Sequence, residues 1–452
     1  MDTIIALATP PGRSAIGVIR ISGNQTLPFT RALLFEDKYS PEPGCATLKN
    51  IKNPINGALI DRALVTFFQS PNSFTGEDVV EISCHGSPVI LRQVVDALLD
   101  LGGRLAGPGE FTLRALGAGK INLSQAEAIR DVINARTEAA AQQALRQLSG
   151  ELSTQLQPLK DRLLNVIVIL ESALEFVEDD LPEVENERIK ITIAELISEV
   201  AKMASSFASG HLLRDGFKVT LVGRPNTGKS SLFNALLRSD RAIVTDIPGT
   251  TRDTLSEVLN IGGLPVLLTD TAGVRESTNY VEGIGVERTR RAMADADLLL
   301  VVLDGTSDLT ADDFDFLRLT AGQKRVIAVN KSDLATFRNY LQMELDGQAR
   351  AVDVSAKAGS GLDTLCEAIV EPFAFVSANE SGLLITDARH YDLLQRTQVE
   401  LESSLRSLDE HASEELVLIG LHNALRYLGE ITGETTAEDV LSRIFSTFCI
   451  GK

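Results

Sequence analysis

"KVTLVGRPNTGKSS", Lys218–Ser231, is the stretch that decides the fold. An apolar, β-branched run ends directly in G-x-x-x-x-G-K-[ST], Gly223–Ser230. An ordinary glycine-rich turn has the same spacing; a phosphate-binding loop has it for a reason. Its glycines let backbone N–H groups close around phosphate oxygens at a helix N-terminus. On that reading Lys229 reaches the β- and γ-phosphates and the Ser230 hydroxyl ligates Mg2+. Asn226, Thr227, Gly228 and Ser231 complete the cradle.

Three further motifs decide between the two readings. "DTAG", 270–273, ends the apolar run "PVLLTD". Asp270 is there to hold the Mg2+ water shell and the Gly273 amide to face the γ-phosphate, with Thr271 and Ala272 between them. "NKSD", 330–333, ends "KRVIAVN". Asp333 accepts two hydrogen bonds from the N1–H and 2-amino edge of guanine, a donor pair that adenine lacks. Asn330 suits the other polar edge of the base, and Lys331 stands between the two. "SAK", Ser355–Lys357, closes the last strand, with the Ala356 amide free to meet the guanine oxygen. Motifs in this order, each at a strand's C-terminal end, fit the ligand crevice of an open parallel sheet. The predicted ligand is GTP. "TDIPGTTRD", 245–253, lies between the first two motifs and suits a mobile loop that closes a threonine on Mg2+. Thr245, Asp246, Ile247, Pro248, Gly249, Thr250 and Thr251 are therefore counted with the site.

Around this core the texture changes three times. Residues 1–119 alternate β-branched runs ("TIIALAT", "AIGVIRIS", "ALVTFF", "DVVEIS") with Gly and Pro, the mark of an α/β or α+β domain. Residues 120–214 are rich in Ala, Leu, Gln and Glu at helical spacing. Residues 215–374 alternate buried-strand runs with helical stretches, and helical texture returns over 375–452. The predicted fold is multidomain: an N-terminal α/β (α+β) domain, and an all-α domain into which a Ras-like α/β P-loop domain is inserted. The two helical flanks then pair in space.

A formal charge of −19 argues against a wholesale basic grip on nucleic acid but leaves room for a local basic patch. With no Trp and 5% aromatics, extensive base-stacking platforms are not expected. Cysteines 45, 84, 366 and 449 form no CxxC pair and no targeting segment is evident, which predicts a reduced, cytoplasmic setting. No apolar run reaches the ~20 residues of a membrane span. Cys84–His85 has no third or fourth ligand nearby, so no zinc is assigned.

"GRPNTGKSS", "IPGTTRD", "DTAGVRES", "VEGIGVERT", "NKSD" and "FSTFCIGK" together resemble the MnmE (TrmE) family of tRNA-modification GTPases. So do "TPPGRSAIGVIRISG", "TGEDVVEISCHG" and "GPGEFTLRALGAGKINLSQAEAI", and the likeness covers the whole chain. It bears on Val274, which stands where many Ras-like enzymes carry a water-positioning glutamine. The resemblance implies that K+ takes the place of an arginine finger, held by Asn226, Thr245, Ile247 and Thr250. It gives Thr251 to Mg2+ and makes Glu282 the catalytic residue that positions water through a bridging water. Alone, Glu282 reads as a solvated residue at a polar helix start.

The resemblance further implies an N-terminal domain that binds a tetrahydrofolate derivative (5-formyl or 5,10-methylene) and forms a homodimer, with the folate site at Arg20, Glu81, Lys120 and Lys452. By themselves, Arg20 is a strand-edge ion-pair partner and Lys120 a surface charge. "SCHGSP" after Glu81 departs from the family's usual "GHG" wording and touches the floor of that pocket. Cys449 is either packing on an apolar segment or a thiol used in modification. The implied function joins this GTPase to an FAD-dependent MnmG/GidA partner in a heterotetramer. Together they install a 5-carboxymethylaminomethyl-type group on the wobble uridine of certain tRNAs with a folate one-carbon unit. The competing readings are an Era/Der-like ribosome-assembly GTPase, for which no GxxG of a KH domain is found, and a non-catalytic nucleotide-gated scaffold.

Overall fold

The computed structural model describes residues 2–175, 183–238, 255–270, 292–338, 349–373, 382–434, 441 and 444–451. They form two compact units: Met1–Ile133 with Gln147–Asn165 and Leu425–Lys452, and Asn134–Arg146 with Val166–Ala424.

The first unit is built on a sheet of strands β1 (Ile4–Leu7), β2 (Ile16–Ser22), β3 (Ala46–Lys52), β4 (Leu59–Phe68), β5 (Val79–His85) and β6 (Arg104–Leu105), in the order β3-β4-β5-β2-β1-β6. All its pairings are antiparallel except β1 with β6. On β2 the odd residues Ile19 and Ile21 are fully buried, while Ile16 and Arg20 belong to the other face. Helices α1 (Thr26–Leu34) and α2 (Pro88–Asp100) seal the buried face with Phe29, Leu33, Leu91, Val94 and Leu98. Helices α3 (Glu110–Gly117) and α4 (Leu123–Asn134) follow.

Residues 444–451 dock on this unit. Phe445 and Phe448 are buried with Leu123 and Ala126, Ile450 bridges to Pro108, and Gly109 N–H donates to the Cys449 carbonyl at 3.3 Å. A Cβ on Gly109 would stand 2.9 Å from both phenylalanines, so only glycine allows this seating.

In the second unit, strands β7 (Phe217–Val222), β8 (Leu255–Ile261), β9 (Leu264–Asp270), β10 (Leu298–Asp304), β11 (Arg325–Asn330) and β12 (Arg350–Asp353) take the order β12-β11-β10-β7-β9-β8. All neighbours run parallel except β8 with β9. β10 is buried from Leu298 to Leu303 and β11 throughout, as expected when both faces are covered. The first strand at the centre, the antiparallel second strand at the edge and helices on both faces make this a Ras-like, doubly wound sheet. Its topological switch point lies at the C-terminal end of β7, where such sheets bind ligands.

Helices α5 (Glu138–Leu148), α6 (Glu151–Glu175), α7 (Glu183–Ser205) and α8 (Phe207–Asp215) precede this sheet. Within it lie α9 (Lys229–Arg238), α10 (Ala311–Leu319) and α11 (Leu362–Val370); α12 (Ala388–Asp409) and α13 (Glu414–Thr432) follow. Helix α7 packs along α12, with Lys190 and Asp409 paired at 2.8 Å. Just before β7, Gly210 lies so close to Ile385 that a Cβ would stand 2.2 Å from its carbonyl oxygen. The chain therefore enters the parallel sheet beside the place to which it returns. No helix among the described residues is long and apolar enough to cross a membrane.

Asp387 secures that return. Its carboxylate caps α12 by accepting from Arg389 N–H at 2.8 Å and pairs with Arg214 at 2.8 Å. Burial alone would raise its pKa; neighbouring His390 and Arg214 and the cap outweigh this and hold it well below the usual carboxylate range. A carboxylate with a depressed folded pKa stabilises fully above its unfolded value of about 3.9, and that contribution fades as pH falls toward the folded pKa. Asp387→Ala is expected to cost about 2 kcal/mol at pH 7. Calorimetric melting from pH 7 to pH 3 should show the deficit shrinking below about pH 4. A deficit that is constant or grows on acidification would contradict this account.

Candidate functional site

The phosphate-type loop leaves β7 through Gly223, whose φ is 144° and whose Cβ would meet the Val302 carbonyl of β10 at 2.4 Å. Asn226 stands exposed at the crest in the left-handed region, φ 66°. Gly228, φ 94°, lies against Asn330; a Cβ there would be 2.3 Å from the Asn330 amide nitrogen. Lys229, the first residue of α9, is 7% exposed, and its ammonium donates to the carbonyls of Gly223 at 3.0 Å and Arg224 at 2.7 Å.

The next residue makes the contact that matters most. Ser230 Oγ donates to Asp270 Oδ2 at 2.8 Å, across 40 residues of chain. Asp270 ends β9 in register with Leu221 of β7 and is 1% exposed. A hydroxyl and a carboxylate side by side at the loop are the hard oxygen donors that Mg2+ takes together with phosphate oxygens. The donor set fits that ion.

Asn330 is 2% exposed and joins loops. Its amide nitrogen donates to the Thr227 carbonyl at 3.0 Å, and its oxygen accepts from Ala356 N–H at 3.1 Å. Asn330 thus ties three motifs together through its oxygen and one of the two N–H groups that an amide nitrogen carries, an arrangement compatible with the expected place of this side chain at the polar edge of the base. The Ala356 N–H, expected to meet the guanine oxygen, donates here to Asn330. A buried primary amide must find partners, and here the nearest are backbone groups of neighbouring loops.

Asp333 is exposed, and its Oδ1 accepts from Ser355 Oγ at 2.7 Å. That hydrogen bond holds its carboxyl below the usual carboxylate range. Ser355 Oγ in turn accepts from Ala358 N–H at 3.0 Å. Lys331, φ 72°, pairs with Asp304 at 2.5 Å. Lys357 and Ser231 are exposed. Thr245, Asp246, Ile247, Pro248, Gly249, Thr250, Thr251, Thr271, Ala272, Gly273 and Glu282 lie outside the described residues.

Sequence reasoning assigned nothing to Arg224, Asp304 or Asp313. Arg224 Nε donates to Asp313 Oδ1 at 2.7 Å, and Asp304 holds Lys331. The only local signal was T-x-x-D at 310–313, a capping-box pattern that α10 does form.

In the first unit, Arg20 and Glu81 are register partners on β2 and β5. Arg20 donates through Nε and Nη2 to Glu81 Oε1 at 2.9 and 2.7 Å, and through Nη1 to the Gly451 carbonyl at 3.0 Å. Arg20 thus pairs with a neighbouring strand from within the sheet, β2 lying between β5 and β1 and not at an edge, and also reaches the main chain of residue 451. Lys452 itself lies outside the described residues. Lys120 is exposed, and its Cε would lie 3.5 Å from a Cβ on Gly76. Next to Gly76, Glu77 accepts from Ser22 at 2.7 Å; Ser22 shares with Arg20 the face of β2 opposite the Ile19–Ile21 core. Cys449 is exposed, since packing of its segment falls to Phe445 and Phe448. Burial, with the charge of Asp61 adding, pushes the Cys84 thiol up to about 12, and His85 Nδ1 lies 2.7 Å from Asp61.

Two family models match the chain. One, GTP-binding protein TrmE N-terminus, covers residues 3–120; the other, MnmE helical domain, covers 123–449. The tRNA modification GTPase MnmE of Koribacter versatilis is 43% identical over 456 residues, spanning 100% of this chain and 99% of that protein. Its counterpart in Heliobacterium modesticaldum is 43% identical over 464 residues, with coverage of 100% and 99%. That of Aquifex aeolicus is 41% identical over 454 residues, with both chains fully covered.

Proposed function

From the fact that this chain belongs to the MnmE family of tRNA modification GTPases, we propose that it hydrolyses GTP in a K+-dependent manner to drive modification of the tRNA wobble uridine. The Ser230–Asp270 contact at 2.8 Å supports the reading most directly, because it joins two separate motifs into one Mg2+-type donor pair beside the loop lysine. Mg2+ would be held by Ser230 and Thr251 with Asp270 on its water shell, and K+ by Asn226, Thr245, Ile247 and Thr250. These cations supply neutralisation of the charge that develops on transferring phosphoryl oxygens.

The chain's own residues do the rest. Lys229 and the N-terminus of α9 bind phosphate. Asp333, aimed by Ser355, selects guanine. Asn330 holds the phosphate and base loops in one frame. Glu282 positions water, a task Val274 cannot perform. Asn226 suits its part: it is exposed at the loop crest with a neutral amide oxygen, a hard donor for a monovalent cation.

In the first unit, Arg20, Glu81, Lys120 and Lys452 would hold a tetrahydrofolate derivative. Guanidinium and ammonium groups pair with its carboxylates, and a carboxylate grips an amino-pyrimidine edge. A homodimer working with an FAD-dependent MnmG/GidA protein would then place a folate-derived one-carbon unit on uridine C5. A ribosome-assembly GTPase of the Era/Der type leaves the full-length match unexplained.

The test has two arms. GTP hydrolysis by the purified protein should run at least about tenfold faster in potassium chloride than in sodium chloride of equal ionic strength. tRNA from a strain lacking the gene should lose the carboxymethylaminomethyl-type wobble nucleoside. Equal rates in the two salts would remove the K+ reading, and normal tRNA the modification reading.

A further inference from the structure

The phosphate loop is anchored from outside by a contact that its motif does not require. Arg224 Nε donates to Asp313 Oδ1 at 2.7 Å, and Asp313 is 1% exposed. The second oxygen of Asp313 accepts from Thr310 N–H and Thr310 Oγ1, both at 2.9 Å, closing the first turn of α10. The carboxylate is thus a fixed point: buried, doubly bonded to a helix start and completed by one arginine. Removing either partner of such a pair leaves the other uncompensated.

The main chain of the same arginine carries the loop. Its carbonyl accepts from Lys229 Nζ at 2.7 Å and from Thr227 Oγ1 at 3.1 Å. Asn226 follows two residues later in its left-handed conformation. Arg224 therefore stands between a rigid helix and the residues that meet phosphate. The other end of the same connection is also tied down. Asp304, the last residue of β10, pairs with Lys331 of "NKSD" and accepts from Thr306 N–H at 2.9 Å. Residues 304–313 thus brace the phosphate loop at one end and the guanine motif at the other.

We infer that Arg224 and Asp313 form a positioning pair that fixes the crest of the phosphate loop, setting how long a guanine nucleotide stays bound and, through Asn226, how much monovalent cation hydrolysis requires. The cation half of this inference rests on the K+ reading above; the nucleotide half does not.

Full-length Arg224→Gln, Asp313→Asn and the double variant test it. The primary readout is the dissociation rate of a fluorescent GDP analogue chased with unlabelled GDP. The second is the K+ concentration that half-saturates GTP hydrolysis. Each single change should speed GDP release by roughly fivefold or more, and the double should be no faster than the quicker single, because both remove one interaction. Asp313→Asn keeps an oxygen for the α10 cap and lies outside the loop, so it carries the test alone if Arg224→Gln does not fold. A merely structural pair would lower the melting temperature and leave release unchanged. Release within twofold of wild type in the singles, or effects that multiply in the double, would overturn the inference. Half-saturating K+ should rise in the same variants. A wild type indifferent to K+ would sink the cation reading, and the GDP data would still decide the role of the pair.

Discussion

Gly228→Ala is expected to lower GTP affinity by about a hundredfold or more. The new methyl would stand 2.3 Å from the Asn330 amide nitrogen, at a residue whose φ of 94° already disfavours any side chain. Two costs then combine. A non-glycine residue in this region costs about 1–3 kcal/mol. Pushing Asn330 away orphans a buried amide that now joins Thr227 to Ala356, at about 1–3 kcal/mol more. Calorimetric titration with a non-hydrolysable GTP analogue measures the loss. Gly322→Ala is the control, since nothing lies within 4 Å of its Cβ position and its φ is not in the positive range. Affinity within threefold of wild type for Gly228→Ala would show that the loop is far softer than its contacts suggest.

The second large effect is a change of base preference. Asp333→Asn should cost about a hundredfold or more in GDP affinity and create preference for the xanthine nucleotide, whose C2 oxygen accepts where guanine donates. The carboxylate is held by Ser355 Oγ at 2.7 Å, and on the proposed reading it would present two acceptors to two guanine donors. An asparagine sets a donor against one of them, and the wrong base is penalised by an unpaired polar group. Competition between GDP and xanthosine diphosphate for the purified variant reads the ratio directly. A variant that still prefers GDP would place guanine selection elsewhere. Gly228 probes the frame of the site and Asp333 its selectivity, so the two outcomes are independent.

What the sequence reveals depends on where each residue sits. β10 and β11 are unbroken apolar runs because helices cover both faces of the sheet, and such runs are legible in "LLLVVLD" and "RVIAVN". Two of the edge strands, β3 and β8, escaped notice for a different reason. "ATLKNIK" of β3 alternates exposed and half-buried positions, and "LSEVLNI" of β8 pairs on one side only and breaks its apolar residues with Ser256, Glu257 and Asn260, so neither is an unbroken apolar run. Ser230 and Asp270 were recognisable because each belongs to a motif whose chemistry fixes its type. Arg224 and Asp313 were not: 89 residues separate them and nothing local to either announces the other. The loop-joining part of Asn330 was not legible, because a base-facing and a loop-joining amide have the same sequence signature. Only the positions of Thr227 and Ala356 reveal the second role.

The seating of residues 444–451 on the first sheet has a consequence for how the molecule is made. Arg20 waits for the Gly451 carbonyl, and the apolar surface around Leu123 waits for Phe445 and Phe448. A ribosome lays down residue 20 long before residue 451, and domains otherwise tend to fold in order of emergence. These native contacts of the first-made part can thus form only near the end of synthesis, and Leu123 and its neighbours lack that cover while most of the later chain is made.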